Sequence, residues 1–273
     1  MVMTLERPGA ETGVTQQTAT RLALVIEYDG TRYFGMQLQS RHSTVQSELE
    51  KAIFAMTGEK VRIAASSRTD TGVHARGQVV TFLTEKLLPL EAYVQGLNHH
   101  LPENIAVKAA YTMPLKFDSR RMAASREYCY NIVNSNTRSP LAERTAHRMA
   151  GNFNIAAMNE ACRTLLGTHD FASFASAIAD EPEKSTVRHV YSAEVKKNGD
   201  LIVFTIIANA FVRHQIRSTA GALAQVGLGK MTVAEFAQLI EAKQPGLAGP
   251  TLPACGLCLV RVNYPFTFEE MKQ

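Results

Sequence analysis

One ten-residue segment, Ser66-Ser67-Arg68-Thr69-Asp70-Thr71-Gly72-Val73-His74-Ala75, sets a carboxylate, a guanidinium and an imidazole among small residues. A single acid in that company can serve as a nucleophile or a general base, provided nearby positive charge keeps it ionised. Gly72 lets the backbone turn tightly, and the hydroxyls of Thr69 and Thr71 can hydrogen-bond within the loop. An Asx-turn carrying a surface arginine is the commoner meaning of an Asp-x-Gly loop. Asp70-Thr71-Gly72 also matches the triplet of aspartic proteases, whose chemistry needs two carboxylates sharing one proton. The chain has no second such triplet, and a polar run rather than an apolar strand precedes this one, which argues against a protease.

Two further stretches carry usable groups. In Phe211-Val212-Arg213-His214-Gln215-Ile216-Arg217, Arg213 and Arg217 are four apart and share one face of an expected helix start. Cations gain nothing from the macrodipole at a helix N-terminus, so an acidic or phosphate partner would explain them. In Arg126-Glu127-Tyr128-Cys129-Tyr130, the two tyrosines share one face of an expected strand. Such a pair most often packs internally, and base stacking is the sharper alternative.

The elements that position these residues read as a repeated order. Strand patterns at 22–28, 61–65, 78–83 and 105–111 alternate with helices opened by a capping box at Ser43-Thr44-Val45-Gln46 and spanning 90–99. Gly58 closes the first of these helices. The second half offers a strand at 127–133, a helix capped by Asn154 that stops at Gly167, and strands at 187–196 and 201–208 flanking Asn198-Gly199. Helices at 212–226 and 233–242 and a strand at 257–262 complete it. Each half reads βαββαβ, which predicts an α+β protein of two tandem ferredoxin-like halves. Their antiparallel sheets would join edge to edge or face each other across a positively charged cleft. The expected divisions are a disordered polar tail at 1–20, a catalytic-loop half at 21–114 and a second half at 115–268 that begins in a basic linker.

Charge is distributed unevenly. The net charge is +4, and the window from Lys116 to Arg148 alone carries seven basic residues against three acids. Local surplus of this kind is what phosphate neutralisation requires. Of the four cysteines, Cys255 and Cys258 form a C-x-x-C without a partner pair at zinc spacing, so all four are read as small buried residues in a reducing cytosol. No run of about 18 apolar residues occurs, and the first 20 residues lack the apolar core of a signal peptide, which predicts a cytoplasmic protein.

Taken together, these stretches resemble the bacterial tRNA pseudouridine synthase A (TruA) family over roughly residues 22–265. The matching stretches include Tyr28-Asp29-Gly30-Thr31, Thr44-Val45-Gln46, Arg68 to Ala75, Leu101-Pro102, Gly167-Thr168-His169-Asp170-Phe171, His214-Gln215-Ile216-Arg217 and the closing Gly249 to Leu257. The resemblance implies isomerisation of uridine to pseudouridine in the 3′ strand of the tRNA anticodon stem-loop, by a homodimer without cofactor or metal. It implies that Asp70 is the nucleophile, that Tyr128 stacks on the target uracil, and that Arg217 pairs with Asp70. Arg68 then fills the space left by the flipped base, and Leu257 lines the substrate site. Phe117, Asp118, Ser119, Arg120 and Arg121 correspond to an RNA-contacting stretch, and phosphate contacts from Arg120, Arg121 and Arg213 would set register rather than read bases. The sequence departs from the family at Met36, where a Trp is usual, and at Asp118, which puts an acid beside the RNA path. A non-catalytic RNA-binding module is the rival reading, but it expects surface aromatics on central strands and leaves Asp70 without a purpose.

Overall fold

The computed structural model describes residues 19–176 and 185–271. The tail expected at 1–20 lies, as far as residue 18, outside the described residues. The first half runs β1 (Thr20–Tyr28), a 3-10 turn (Gly30–Arg32), α1 (Val45–Thr57), β2 (Ala64–Ala65), β3 (His74–Thr84), α2 (Leu90–His100) and β4 (Ile105–Met113). The second supplies β5 (Ser125–Val133), β6 (His147–Arg148), α3 (Ile155–Thr164), β7 (Gly167–Asp170), β8 (Val187–Asn198) and β9 (Leu201–Ala208). It ends with α4 (Gln215–Gly227), α5 (Val233–Ala242) and β10 (Leu257–Asn263).

The result is a mixed α+β protein on one ten-stranded, mostly antiparallel sheet. Its order is β4-β1-β3-β10-β5-β9-β8-β7, with β2 added to β3 and β6 to β5. The halves meet edge to edge, where Cys258 and Leu259 of β10 pair in parallel with His74 and Ala75 of β3. This seam is short, and it lies directly beside the Asp70 loop.

Local sequence explains most of the elements. Along β9, Ile202, Phe204, Ile206 and Ala208 are buried while their neighbours are not, the alternation of a strand with one core face. The capping box of α1 forms one residue later than expected. Thr44 accepts the Ser47 amide at 3.1 Å and donates its own to the Ser47 hydroxyl at 3.0 Å. Gln46 is instead drawn inside, where its carbonyl accepts the Leu38 amide. The hairpin between β8 and β9 turns on Gly199 and Asp200, since Asn198 already pairs with Leu201. β6 and β7 have no counterpart in the sequence pattern, being only two and four residues long.

One continuous apolar core runs along the shared sheet, with Leu24, Ile26, Leu49, Ile53, Phe82 and Tyr93 buried in the first half and Phe171, Phe174, Phe204, Leu223 and Phe236 in the second. Each such Leu, Ile or Phe contributes ~1.5–3 kcal/mol of burial energy. All four cysteines are free thiols; Cys129, Cys162 and Cys258 are buried, whereas Cys255 is half-buried in a 3-10 turn rather than on a strand.

Candidate active site

The loop carrying Asp70 is built by three anchors. Leaving β2, it returns over β3, where the buried Gln78 side chain holds it from beneath. The Ser66 hydroxyl and the Ser67 amide both donate to the Gln78 carbonyl, at 2.7 and 3.1 Å, and the Gln78 amide donates to the Ser67 carbonyl at 2.7 Å. From β1, the Tyr28 hydroxyl meets the Thr69 hydroxyl at 2.7 Å. From the loop after the first 3-10 turn, the Met36 amide donates to the Thr69 carbonyl at 3.0 Å. That approach is close enough that a Cβ on Gly35 would lie 2.7 Å from the Thr69 oxygen. Asp70 itself opens a turn closed by the Val73 amide on its carbonyl, with Gly72 at φ +79° as a type II turn demands.

The carboxylate of Asp70 is about one-third exposed and faces a cavity of about 1100 Å³. That is larger than most small-molecule clefts, which run ~300–1000 Å³. Its walls come from both halves: Phe34 and the Asp70 loop on one side, Arg120 to Tyr128, Arg188 and the segment before α4 on the other. Seven arginines line it (Arg68, Arg120, Arg121, Arg126, Arg188, Arg213 and Arg217), against the single carboxylate of Asp70 among the described residues. Such a surplus suits a polyanion.

The basic group nearest Asp70 differs from the one expected. His214 Nε2 lies 3.3 Å from Asp70 Oδ2, and no ion pair within 4 Å joins Arg217 to Asp70 among the described residues. Arg217 is on the first turn of α4, and its Nε donates to the Leu252 carbonyl at 2.6 Å. The reason is the start of α4, expected at Val212. His214 takes the left-handed conformation at φ 64°, so the helix begins only at Gln215. That rotates Arg217 toward the 249–256 segment and turns the imidazole to the acid.

Tyr128 is buried on β5 at the cavity wall, with Phe211 edge-on at a centroid distance of 5.3 Å. Burial pushes its phenol up to about 12, partly offset by Ser67 and Arg126, so it is neutral and protonated at pH 7. Leu257, first residue of β10, lines the same wall. Arg126 was legible only as one basic residue among seven, yet it staples the cavity rim. Its guanidinium donates to the carbonyls of Asn209 at 2.8 Å and Arg120 at 2.6 Å. Burial holds that guanidinium below its ordinary value, though it stays charged at pH 7.

The stretch from Phe117 to Arg121 divides. Arg120 and Arg121 line the cavity, but Phe117 and Ser119 are almost fully buried. The Phe117 ring packs on Tyr264, Phe266 and Phe268, at 5.6, 6.2 and 6.0 Å, as a core residue. Ser119 is fixed by its carbonyl, which accepts the Tyr264 hydroxyl at 2.6 Å. Asp118 caps the turn, its Oδ1 accepting the amides of Arg120 and Arg121 at 2.9 Å each. Its Oδ2 also lies 3.8 Å from the Arg121 Nε, so the acid beside the basic face both shapes the turn and pairs with one of its arginines. The residues that sequence reasoning passed over are Gln78 and His214 as loop supports, and Arg188 in the cavity wall.

Among the described residues no group of three His, Cys, Asp or Glu could hold a metal ion, and no helix is long and apolar enough to cross a membrane.

A family model described as tRNA pseudouridine synthase matches residues 24–120 and 161–265, which takes in the Asp70 loop and the start of α4. The tRNA pseudouridine synthase A of Citrifermentans bemidjiense is 41% identical over 244 residues, covering 89% of this chain and 97% of its own. That of Myxococcus xanthus is 40% identical over 245 residues, covering 89% and 92%. That of an Exiguobacterium species is 40% identical over 244 residues, covering 89% and 98%.

Proposed function

The chain belongs to the tRNA pseudouridine synthase family, and from that premise we propose that Asp70 is the catalytic carboxylate of its uridine-to-pseudouridine isomerisation. The observation that carries this reading is the position of Asp70: one acid facing a cavity lined by seven arginines. The reaction breaks the N1–C1′ bond, turns the base and rejoins it through C5. It is neither an oxidation nor a hydrolysis. What it requires is an anion beside the sugar and the base, in a space from which water is excluded.

The uridine must leave its stack to reach Asp70, at a cost of a few kcal/mol. Tyr128 at the cavity wall offers a stacking platform that returns ~1–3 kcal/mol, and Leu257 bounds the same space. Arg68, exposed at the rim, fills the gap left in the helix. Arg120, Arg121 and Arg213 take phosphates and set the register of the RNA without reading its bases. Arg217 stays in this account as a cation of the cavity wall, its terminal nitrogens directed to substrate rather than paired with the acid.

The strand orders β4-β1-β3-β2 and β10-β5-β9-β8 support reading residues 21–114 and 115–268 as two ferredoxin-like halves, with the RNA cleft where they meet. We assign the target to the 3′ strand of the anticodon stem-loop, the working form to a homodimer and the location to the cytoplasm, on the resemblance described above. The test is product mapping on tRNA transcripts. Wild-type protein is expected to place pseudouridine in that strand, and Asp70→Asn to bind the same tRNA and leave every uridine unchanged. Product from Asp70→Asn would remove Asp70 from the mechanism.

A further inference from the structure

His214 is the basic side chain in contact with Asp70. Two things about it are unusual. It is a residue with a Cβ at φ 64°, ψ 0°, a conformation that side chains other than glycine, asparagine and aspartate rarely enter. It is also held at both ring nitrogens: Nδ1 lies 2.5 Å from the Ser176 hydroxyl and Nε2 lies 3.3 Å from Asp70 Oδ2.

The backbone conformation is fixed from outside the ring. The His214 carbonyl accepts the Ser218 amide at 3.0 Å, and the preceding carbonyl, of Arg213, accepts the Ser176 amide at 3.3 Å. Gln215, fully buried, returns its side-chain carbonyl to the Val212 amide at 2.9 Å and locks the turn. An ordinary helical φ at residue 214 would swing the ring away from the acid. The turn thus spends conformational energy on one outcome, the aim of an imidazole at Asp70.

The two neighbours also select one proton arrangement. If the Ser176 hydroxyl donates to Nδ1, the neutral ring carries its proton on Nε2 and donates it to the carboxylate. The opposite tautomer would point a lone pair at an anion. Burial favours the neutral ring, and the charges of Arg217 and Arg213 oppose protonation, while Asp70 pulls the other way. Burial and the two arginines prevail.

The geometry points to His214 as a positioning residue: its Nε2–H donates to Asp70 Oδ2 and sets the carboxylate toward the cavity, with Ser176 fixing the tautomer. A neutral donor orients the acid without matching its charge by a close-paired full cation. The anion is then held in place and remains available to the sugar. This inference rests on the reading of Asp70 as the catalytic acid.

The test compares His214→Asn, His214→Gln and Ser176→Ala in the full chain, by single-turnover rate on substrate tRNA and by tRNA Kd. Asparagine tolerates the left-handed backbone but is too short to reach Asp70, whereas the glutamine amide can reach about as far as Nε2. Loss of one hydrogen bond to a charged group predicts that His214→Asn slows the bound complex about 10- to 100-fold. Its tRNA Kd is expected to stay within about twofold of wild type. His214→Gln should recover most of that rate, and Ser176→Ala should lose several-fold. A wild-type rate in His214→Asn, a loss confined to Kd, or a glutamine variant no better than the asparagine one would each overturn the assignment. Asp70→Asn is measured alongside. If it turns over, the catalytic reading of Asp70 is wrong; if it is dead while His214→Asn is unimpaired, only the role of His214 is wrong.

Discussion

Nε2 of His214 lies 3.3 Å from Oδ2 of Asp70, and the two residues sit on segments from opposite halves of the chain. One is on the loop entering β3, the other on the left-handed turn entering α4. Both segments are tied to the framework by buried polar side chains, Gln78 under the first and Gln215 within the second. Whatever displaces either support separates the donor from the acid.

Gln78→Leu should therefore damage the site from below. It removes three hydrogen bonds and leaves the Ser66 hydroxyl and both backbone groups of Ser67 without their partner. The expected cost is roughly 3 kcal/mol of stability. The single-turnover rate should fall further than tRNA affinity does. Urea denaturation and single-turnover kinetics check both parts, and unchanged stability would show that the loop does not depend on this residue.

Phe117→Ala separates a core role from an RNA contact. The ring is buried against Tyr264, Phe266 and Phe268, so its removal should cost ~3–5 kcal/mol of stability. Below the unfolding temperature, tRNA Kd should stay close to wild type. A stable variant with selectively weakened tRNA binding would contradict the placement.

Arg120→Ala and Arg121→Ala should each weaken tRNA binding with little change in the rate of the bound complex, since both line the cavity rim. Affinity should fall steeply with salt, and each substitution should lower the slope of log Kd against log salt by about 0.7–1. Slopes equal to wild type in both variants would mean that these guanidinium groups do not neutralise phosphate.

Much of this was readable in the chain itself, for a physical reason. Alternating burial along β9 and the Thr44 cap of α1 leave local patterns, and the Arg68 to Ala75 loop holds its chemistry in consecutive residues. The pairing of Asp70 was not readable, because it depends on where α4 starts. An offset of three residues at that helix, set by the backbone of His214, exchanges which of two basic side chains meets the acid. Gln78 was invisible for a related reason: its role appears only when β2 has shrunk to two residues and the loop folds back over β3. The core packing of Phe117 leaves no local signal, because the aromatic residues that bury it come from the far C-terminal end of the chain.

Stability should decline on mild acidification. Burial holds His74, His147 and His214 below the ordinary histidine value, so the unfolded chain takes up protons that the folded one refuses. Stability from these groups is present above about pH 6.5 and is lost as pH falls through that value. Asp29 acts lower on the scale. Burial alone would raise its carboxyl, but hydrogen bonds from Thr31 and Arg144 overcome this and leave it below the usual carboxylate range. Its contribution is kept above about pH 4 and lost as pH falls through its folded value. Urea midpoints should drop between pH 7.5 and 5.5, and His147→Gln should flatten that slope. A midpoint that rises over the same interval would contradict the assignment.

The most direct measurement is single-turnover release of tritium from C5-labelled uridine in substrate tRNA, with wild-type protein and Asp70→Asn compared at saturating enzyme. The account predicts release in proportion to pseudouridine formed for the wild type, and none above background for the variant although it is fully bound to tRNA. Release by the bound variant at a rate near wild type would show that the carboxylate of residue 70 does not carry the reaction.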